Sequence, residues 1–230
     1  MICVIPARRA SKRVHEKVLR EVGGVSMLER CIRTAVDSGV FDTIVLSTED
    51  AEIAEIGRAH DLIVHSRPPE LQTDTTGTDE ITWVAARWLE QQSDVAVDDV
   101  ACLSPVYPTL DAEAVREAVE LFERSPDARF LIAVSPTDPH DFHWALEDAG
   151  EGYVRMFFGD RFLVDRAFLP PAWTPTGAIK LARLEALEHA RAFFGERQLP
   201  FELPRERNFY VGEEIDIAFA EFLLQQGLVR

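Results

Sequence analysis

Cysteine is scarce in this sequence of 230 residues, and long hydrophobic runs are missing. The three cysteines, Cys3, Cys31 and Cys102, cannot all pair, and they show no C-x-x-C spacing. They lie in apolar or helical segments, which favours a reduced, cytoplasmic protein with buried thiols. No apolar run approaches the roughly 18 residues that a membrane span needs. The first residues also lack the pattern of a signal peptide, so we expect neither secretion nor membrane contact.

Basic residues are outnumbered by acidic ones. The chain has 24 lysines and arginines against 40 aspartates and glutamates, a formal net charge of −16. Nucleic acids and anionic membranes both require basic patches, so this excess argues against broad contact with either. The six histidines form no H-E-x-x-H motif, and no G-x-S-x-G motif occurs. Zinc chemistry and serine-hydrolase chemistry therefore have no support in the sequence.

Short apolar runs alternate along the chain with segments of helical periodicity. The runs are continuous, which is typical of strands in a parallel sheet covered on both faces. This pattern predicts an α/β fold with helices on each side of a mostly parallel sheet. The predicted strands are 2–5, 43–47, 62–64, 100–103, 130–134, 177–181 and 207–211. One predicted helix begins after a capping box at Ser26 and ends at Gly39. The other predicted helices cover residues 50–60, 79–89, 114–122, 184–194 and 215–226.

The pattern breaks between residues 135 and 175. This stretch holds five prolines and many aromatic residues and has little helical period. We interpret it as an insertion within a single domain that covers residues 1–230. Its apolar side chains offer more surface than a monomer normally exposes, which predicts a homodimer whose partner covers the insertion.

The loop after the first strand is unusually basic. Ligands of a parallel sheet bind beyond the carboxyl ends of its strands, which is where this loop lies. Clustered cations repel one another, so their presence here indicates an anionic ligand, above all a triphosphate. A solvated basic loop is the alternative. The five cations are Arg8, Arg9, Lys12, Arg13 and Lys17, and the small residues that let backbone N–H groups approach phosphate are Ala7, Ala10 and Ser11.

The motif I-P-A-R-x-x-S-K-R-x-x-x-K over residues 5–17 resembles the signature of the sugar-activating cytidylyltransferases. Within them it is most similar to the acylneuraminate cytidylyltransferases, which make CMP-sialic acid and related compounds. Further matching motifs occur in family order at 23–30, 41–50, 67–75 and 169–179. The resemblance implies a Rossmann-like fold, transfer from CTP to a 2-keto sugar acid with Mg²⁺, and a homodimer in which the insertion reaches the partner.

The resemblance also implies individual roles. Catalytic, triphosphate-binding cations are Arg8, Lys12 and Lys17, and the other residues expected around the nucleotide are Ala7, Ser11, Arg13, Arg67 and Thr78. Arg67 has the alternative of a surface arginine that caps a loop. Thr78 has the alternative of an N-cap for the following helix. Arg166 matches an arginine on the sugar-acid side, where a guanidinium suits a carboxylate, with a salt bridge at the dimer interface as the alternative.

The sequence departs from the family in two loops that carry the substrate and the nucleotide. The asparagine that follows the last loop lysine in the family is Val18 here. A family string that contacts the sugar, Q-P-T-S-P-L-R, is replaced by Ser104–Leu110, which lacks the amide and the terminal cation. We expect Ser104 and Tyr107 to contact the substrate, with Val106 and Tyr107 forming a more apolar wall.

The third departure concerns the metal. The family carries an Asp-x-Asp pair where this chain has Tyr210 and Gly212, and neither offers the carboxylate oxygen that Mg²⁺ prefers. Glu213 and Glu214 could substitute, or they are helix first-turn acids; Asp216 matches a family acid that caps the last helix. The metal ligands therefore stay unknown. Two functions follow: a cytidylyltransferase, or a catalytically weakened relative that binds nucleotide or sugar as a partner subunit.

Overall fold

The computed structural model describes residues 1–73, 75–93 and 96–229, except the side chains of Pro139, His140, Phe162 and Arg166. In these residues no helix is both long and apolar enough to cross a membrane. The strands are β1 (Ile2–Pro6), β2 (Glu21–Val22), β3 (Val25–Ser26), β4 (Thr43–Thr48), β5 (Ile63–Ser66), β6 (Asp99–Leu103), β7 (Phe130–Thr137), β8 (Leu146–Gly150), β9 (Tyr153–Met156), β10 (Ala172–Arg183) and β11 (Gln198–Glu202). The helices are α1 (Met27–Ser38), α2 (Ala51–Ala59), α3 (Thr78–Gln92), α4 (Ala112–Glu123), α5 (Pro139–His143), α6 (Leu184–Ala190) and α7 (Glu214–Gln225).

Seven strands form the central sheet in the order β11-β7-β10-β6-β1-β4-β5. All neighbours pair in parallel except β10, which runs antiparallel to both β6 and β7. Every residue of β1 is buried. Cys3 and Ile5 lie in one core with residues of α1 and α4, whereas Ile2 and Val4 lie in the other with residues of α3 and α6. The predicted α/β/α arrangement with a mostly parallel sheet is confirmed.

Local signals fix the ends of several helices as the sequence predicts. Ser26 Oγ accepts a hydrogen bond from the N–H of Glu29, at 3.2 Å, and so caps α1. Gly39 ends that helix with a φ of 65°, in the left-handed region that glycine adopts without strain.

Helix α2 approaches β4 closely at Gly57, where a Cβ atom would lie 2.5 Å from Cδ2 of Leu46.

Two predicted elements are wrong. Residues 207–211 are not a strand: a short 3-10 helix (Arg205–Asn208) covers the first two of them, and the N–H of Val211 donates to the carbonyl of Val106, at 2.9 Å. The strand in this region is β11, which the sequence pattern does not predict because the segment contains Pro200. A proline is tolerated there because β11 is an edge strand. Helix α6 ends at Ala190 rather than at residue 194, since Arg191 takes a left-handed φ of 58°.

The insertion is shorter than predicted. Strands β7 and β10 extend past the rest of the sheet and pair with each other, Thr137 opposite Ala172, so the segment outside the sheet is 138–171. It contains α5, the hairpin β8–β9 and two 3-10 helices. Large apolar side chains stand exposed on it, with Phe168 at 81% and Leu163 and Tyr153 both at 71% of full exposure. The described residues leave these side chains uncovered, and the dimer stays a prediction.

A buried histidine lies at the carboxyl end of β5. His65 Nδ1 is 3.0 Å from Oγ of Ser47, and its ring centroid is 4.9 Å from that of Trp88. Burial, and then the nearby Arg67 guanidinium, lower the pKa of His65 from 6.5 to about 4. The folded protein therefore holds this imidazole neutral over a pH range in which the unfolded chain protonates it.

This difference predicts acid sensitivity. As the pH falls below 6.5 the unfolded state binds the proton and the folded state does not, so stability declines until the pH reaches the folded-state pKa. Urea unfolding should show a loss of about 2 kcal/mol between pH 7 and pH 5 from this group. His65→Asn should flatten this decline, and His189→Asn, which replaces an exposed histidine, should keep it. Equal slopes in all three proteins would contradict the assignment.

Candidate functional site

A cavity of about 380 Å³ opens at the carboxyl edge of the sheet. It lies between the loops that follow β1, β5 and β6, as the sequence predicts for a parallel sheet, and is closed on one side by Tyr210. We call it the cationic cleft. Its lining residues are Pro6, Arg8, Ala10, Ser11, Lys12, Arg13, Lys17, Val18, Arg67, Leu71, Thr73, Thr76, Thr78, Ile81, Ser104, Pro105, Val106 and Tyr210.

The basic loop contributes four of its five cations to this cleft: Arg8, Lys12, Arg13 and Lys17. Arg9 faces away from it. Its guanidinium bonds to Asp50 at 2.7 Å and to Glu16 at 2.5 Å, and it also pairs with Glu52. Charge density in the sequence could not separate Arg9 from its neighbours, because the carboxylates that hold it lie partly on α2, distant along the chain.

Two of the three small residues of the basic loop line the cleft, and the third does not. Ser11 lines the cleft, together with Ala10. Ala7 does not, because it is buried and its N–H donates to the carbonyl of Ser47 at 3.0 Å. The expectation that the Ala7 N–H contacts a phosphate is therefore wrong, since a strand-end hydrogen bond already uses this donor.

Lys17 joins the basic loop to the C-terminal segment. Its side chain is almost fully buried, and Nζ donates to the carbonyls of Val211 at 2.9 Å and Gly212 at 3.3 Å. The same atom lies 5.3 Å from the ring centroid of Tyr210. Burial, and then repulsion from Arg13, lower the pKa of Lys17. An ammonium has three hydrogens, and the two carbonyls of the C-terminal segment accept from two of them.

Arg67 is buried, and the alternative of a surface arginine is wrong. One terminal nitrogen donates to the carbonyls of Ala7 at 3.0 Å and Ser47 at 2.8 Å, and the other pairs with Glu49 at 2.9 Å. Its Nε is buried without a partner among the described residues. Burial lowers the pKa of Arg67, although Glu49 opposes that shift. Arg67 thus ties the ends of β1 and β4 together beneath the cleft.

Thr78 lines the cleft as the first residue of α3. Gly77 occupies the N-cap position, so the alternative of a Thr78 cap is wrong. The Thr78 hydroxyl accepts a hydrogen bond from Nζ of Lys180 at 2.8 Å. Lys180 lies near the end of β10 and was not predicted as a residue of this site, because a lysine within an apolar strand gives no indication of which residues it contacts.

The loop after β6 meets the cleft only in part. Ser104 and Val106 line it, whereas Tyr107 does not. The Tyr107 hydroxyl accepts a hydrogen bond from the N–H of Gly177 at 2.8 Å, and its ring lies 5.5 Å from that of Tyr210. Burial raises the pKa of Tyr107. The predicted contact between Tyr107 and a substrate is therefore not supported, and the aromatic wall of the cleft is Tyr210. The side chain of Arg166 lies outside the described residues.

The donor set of the cleft does not fit a protein-bound Mg²⁺. Its described lining contains no carboxylate, and the described residues contain no group of three potential metal ligands. The Tyr210 hydroxyl accepts from Arg13 at 2.9 Å. Asp216 Oδ2 accepts from the N–H groups of Gly212 and Glu213, both at 2.8 Å, and so caps α7. Glu214 pairs with Arg20 at 2.9 Å.

A second cavity, of about 760 Å³, lies on the other side of Tyr210. Three residues of its polar lining are hydrogen-bonded to one another: Thr176 Oγ1 donates to Oδ1 of Asn208 at 3.0 Å, and Asn208 Nδ2 donates to Oγ of Ser135 at 3.1 Å. Side chains of α7, among them Phe219 and Phe222, form its apolar side. No sequence pattern predicts this cavity, because its residues come from four separate segments.

The comparisons with known proteins agree with this geometry. A family model described as cytidylyltransferase matches residues 2–140. The chain therefore belongs to the cytidylyltransferase family, which places it in the nucleotidyltransferase class and confirms the family resemblance drawn from the motifs.

Two relatives match along nearly their whole length. A pseudaminic acid cytidylyltransferase of Campylobacter jejuni is 26% identical over 227 residues, covering 96% of this chain and 95% of that protein. A CMP-N,N'-diacetyllegionaminic acid synthase of Legionella pneumophila is 27% identical over 229 residues, covering 98% and 96%. The solved structure of a CMP:2-keto-3-deoxy-manno-octonic acid synthetase complexed with CTP superposes with a TM-score of 0.69 at 13% identity and covers 98% of both chains. That likeness shows a shared fold.

The missing carboxylates predict that Mg²⁺ alone does not bind in the cleft. Titration calorimetry of the wild-type protein with Mg²⁺ should show no binding at millimolar concentrations, whereas Tyr210→Asp with Gly212→Asp should create a site, because carboxylate oxygens are the preferred ligands. Removing the tyrosine also makes room, since a Cβ at Gly212 would lie 2.8 Å from the Tyr210 ring. Gly212→Asp alone is the control and should bind no metal. A magnesium ion held by two protein carboxylates in the wild-type protein would refute this.

Proposed function

We propose that this protein transfers a cytidylyl group from CTP to a hydroxyl of a 2-keto sugar acid. The observation that carries the proposal is the gathering of Arg8, Lys12, Arg13 and Lys17 in one cleft of a chain with net charge −16. The full-length match to relatives named for activated sugar acids supports the acceptor class.

In the proposed reaction the acceptor oxygen attacks the α-phosphorus of CTP. A bond forms between that oxygen and phosphorus, the bond from phosphorus to the pyrophosphate oxygen breaks, and the hydroxyl proton leaves to solvent. Negative charge builds on the non-bridging oxygens and on the leaving pyrophosphate. Fixed cations along the basic loop stabilise both, and they need no reorganisation as the charge develops.

The acceptor is proposed to approach from the second cavity. Tyr210 lines both cavities, so an acceptor there lies beside the phosphates of a nucleotide in the cationic cleft. Hydroxyl and amide groups of Ser135, Thr176 and Asn208 suit the hydroxyls of a sugar acid, and the apolar side of α7 suits its carbon skeleton. Mg²⁺ stays a proposed cofactor carried by the nucleotide phosphates, and the cytoplasmic location stays a prediction.

A pyrophosphate-release assay with CTP and a panel of 2-keto sugar acids tests the proposal. Lys12→Met should lower the rate by about 100-fold, the loss typical of one fixed charge-stabilising group. Arg9→Met removes the neighbouring cation that faces away from the cleft, so it is the matched control and should retain most of the rate. Comparable losses in both variants would show that general loop charge, and not the cleft, matters.

A catalytically weakened protein that binds nucleotide is the second candidate function. It is favoured by the missing carboxylates at Tyr210 and Gly212. The two candidates differ in one outcome: the weakened protein binds CTP in calorimetry but releases no pyrophosphate with any acceptor.

We also propose a homodimer formed through the insertion. Its exposed apolar side chains, Phe168 and Leu163 foremost, need a partner surface. Sedimentation at micromolar concentration should show a species of about 52 kDa, twice the chain mass of 25.9 kDa. Phe168→Asp with Leu163→Asp should yield monomers, and Phe194→Asp, at an exposed phenylalanine outside the insertion, should not. A wild-type protein that sediments only as a monomer would exclude the dimer.

A further inference from the structure

Two cations of the basic loop that line the cleft are held by uncharged acceptors. The Arg13 guanidinium donates to the Tyr210 hydroxyl at 2.9 Å. Nζ of Lys17 donates to the backbone carbonyls of Val211 at 2.9 Å and Gly212 at 3.3 Å. A phenol and a carbonyl accept a hydrogen bond without carrying a formal charge. These contacts therefore fix the two side chains and leave their positive charge unbalanced.

Other cations around the cleft are held by carboxylates. Arg9, which faces away from the cleft, pairs with Asp50 at 2.7 Å. Arg67, beneath the cleft, pairs with Glu49 at 2.9 Å. Among the described residues no carboxylate lies within ion-pair distance of Arg13 or Lys17. The fold thus balances the charges that support the cleft and leaves these two charges for a ligand.

Packing on the ring of Tyr210 fixes the acceptor of Arg13. The ring centroid lies 5.5 Å from that of Tyr107 and 5.3 Å from Nζ of Lys17. Gly212 leaves room for the ring, because a Cβ at that position would lie 2.8 Å from Cε1 of Tyr210. The hydroxyl therefore holds Arg13 at the edge of the cleft, where Tyr210 also borders the second cavity.

A carboxylate at this position would have the opposite effect. An aspartate at position 210 would balance the charge of Arg13 and would supply the oxygen ligands that Mg²⁺ prefers. The phenol does neither. Bound Mg²⁺ masks part of the negative charge of a triphosphate, whereas the free triphosphate presents all of it. A cleft with unbalanced cations and no carboxylate in its described lining therefore attracts the free form more strongly.

We propose that the cleft binds CTP preferentially as the metal-free triphosphate, with Arg13 supplying positive charge in place of a protein-bound metal ion and Tyr210 as the residue that positions Arg13. The family resemblance implies carboxylate ligands for Mg²⁺ at positions 210 and 212, and the donor set of the cleft disagrees with it. The inference rests on the proposed function, since it takes the ligand to be CTP. It concerns nucleotide binding and not the transfer step.

Calorimetric titration with CTP, in EDTA and in excess Mg²⁺, tests the proposal by binding alone. The wild-type protein should bind CTP about tenfold more tightly in EDTA, the ratio that one charge-assisted hydrogen bond gives. Tyr210→Asp with Gly212→Asp should reverse the preference, because the new carboxylates repel the free triphosphate and bind the metal ion of its magnesium complex.

A double-mutant cycle separates the positioning role of Tyr210 from a structural one. Tyr210→Phe keeps the ring and the net charge and removes only the acceptor of Arg13. It should lower the affinity for CTP in EDTA about fivefold, the contribution of one hydrogen bond, and reduce the ratio between the two conditions. In an Arg13→Met background, Tyr210→Phe should change neither affinity further, since the two residues act through one contact.

Arg9→Met is the matched control, because it removes a neighbouring loop cation whose charge is already balanced by carboxylates. It should keep the wild-type ratio between EDTA and Mg²⁺. Equal wild-type affinities in the two conditions, or tighter binding with Mg²⁺, would overturn the inference. A ratio that persists in Arg13→Met or in Tyr210→Phe would overturn the roles given to these residues. A wild-type protein that binds CTP in neither condition would overturn the proposed function itself.

Discussion

The cationic cleft depends on holding several positive side chains at one edge of the sheet although they repel one another. Two buried anchors make this arrangement stable. Arg67 donates to carbonyls at the ends of β1 and β4 and pairs with Glu49. Lys17 donates to carbonyls of the segment that enters α7. Carbonyl oxygens of the backbone accept hydrogen bonds from both buried cations, which offsets the cost of removing these charges from water. The described lining of the cleft therefore contains these cations without an acidic residue.

The acidic residues of the C-terminal segment also have partners outside the cleft. Its acids cap α7 or pair with Arg20 instead of facing the cleft. The Tyr210 hydroxyl accepts a hydrogen bond from Arg13, and Tyr210 lines both cavities. The described lining of the cleft thus offers cations and a phenol, without a carboxylate.

Much of the fold followed from the sequence because its signals are local. The continuous apolar run of β1 required burial on both faces, and the capping box at Ser26 fixed the start of α1. Two strand predictions in the C-terminal part of the chain were wrong. Pro200 concealed an edge strand, and the aromatic run after Asn208 looked like a strand although its backbone finds only isolated partners. Hydrogen-bond partners distant in the chain decided both cases.

The sequence by itself determined the class of the sheet, the family, and the position of the basic loop at a ligand-binding edge. Periodicity, composition and motif spacing suffice for these, since each depends on neighbours along the chain. Only the tertiary structure decided which cations share the cleft, why Arg9 leaves it, and how Lys180 reaches Thr78 across 102 positions. Side-chain direction at a loop depends on partners supplied by other elements, and no local pattern records where those partners lie.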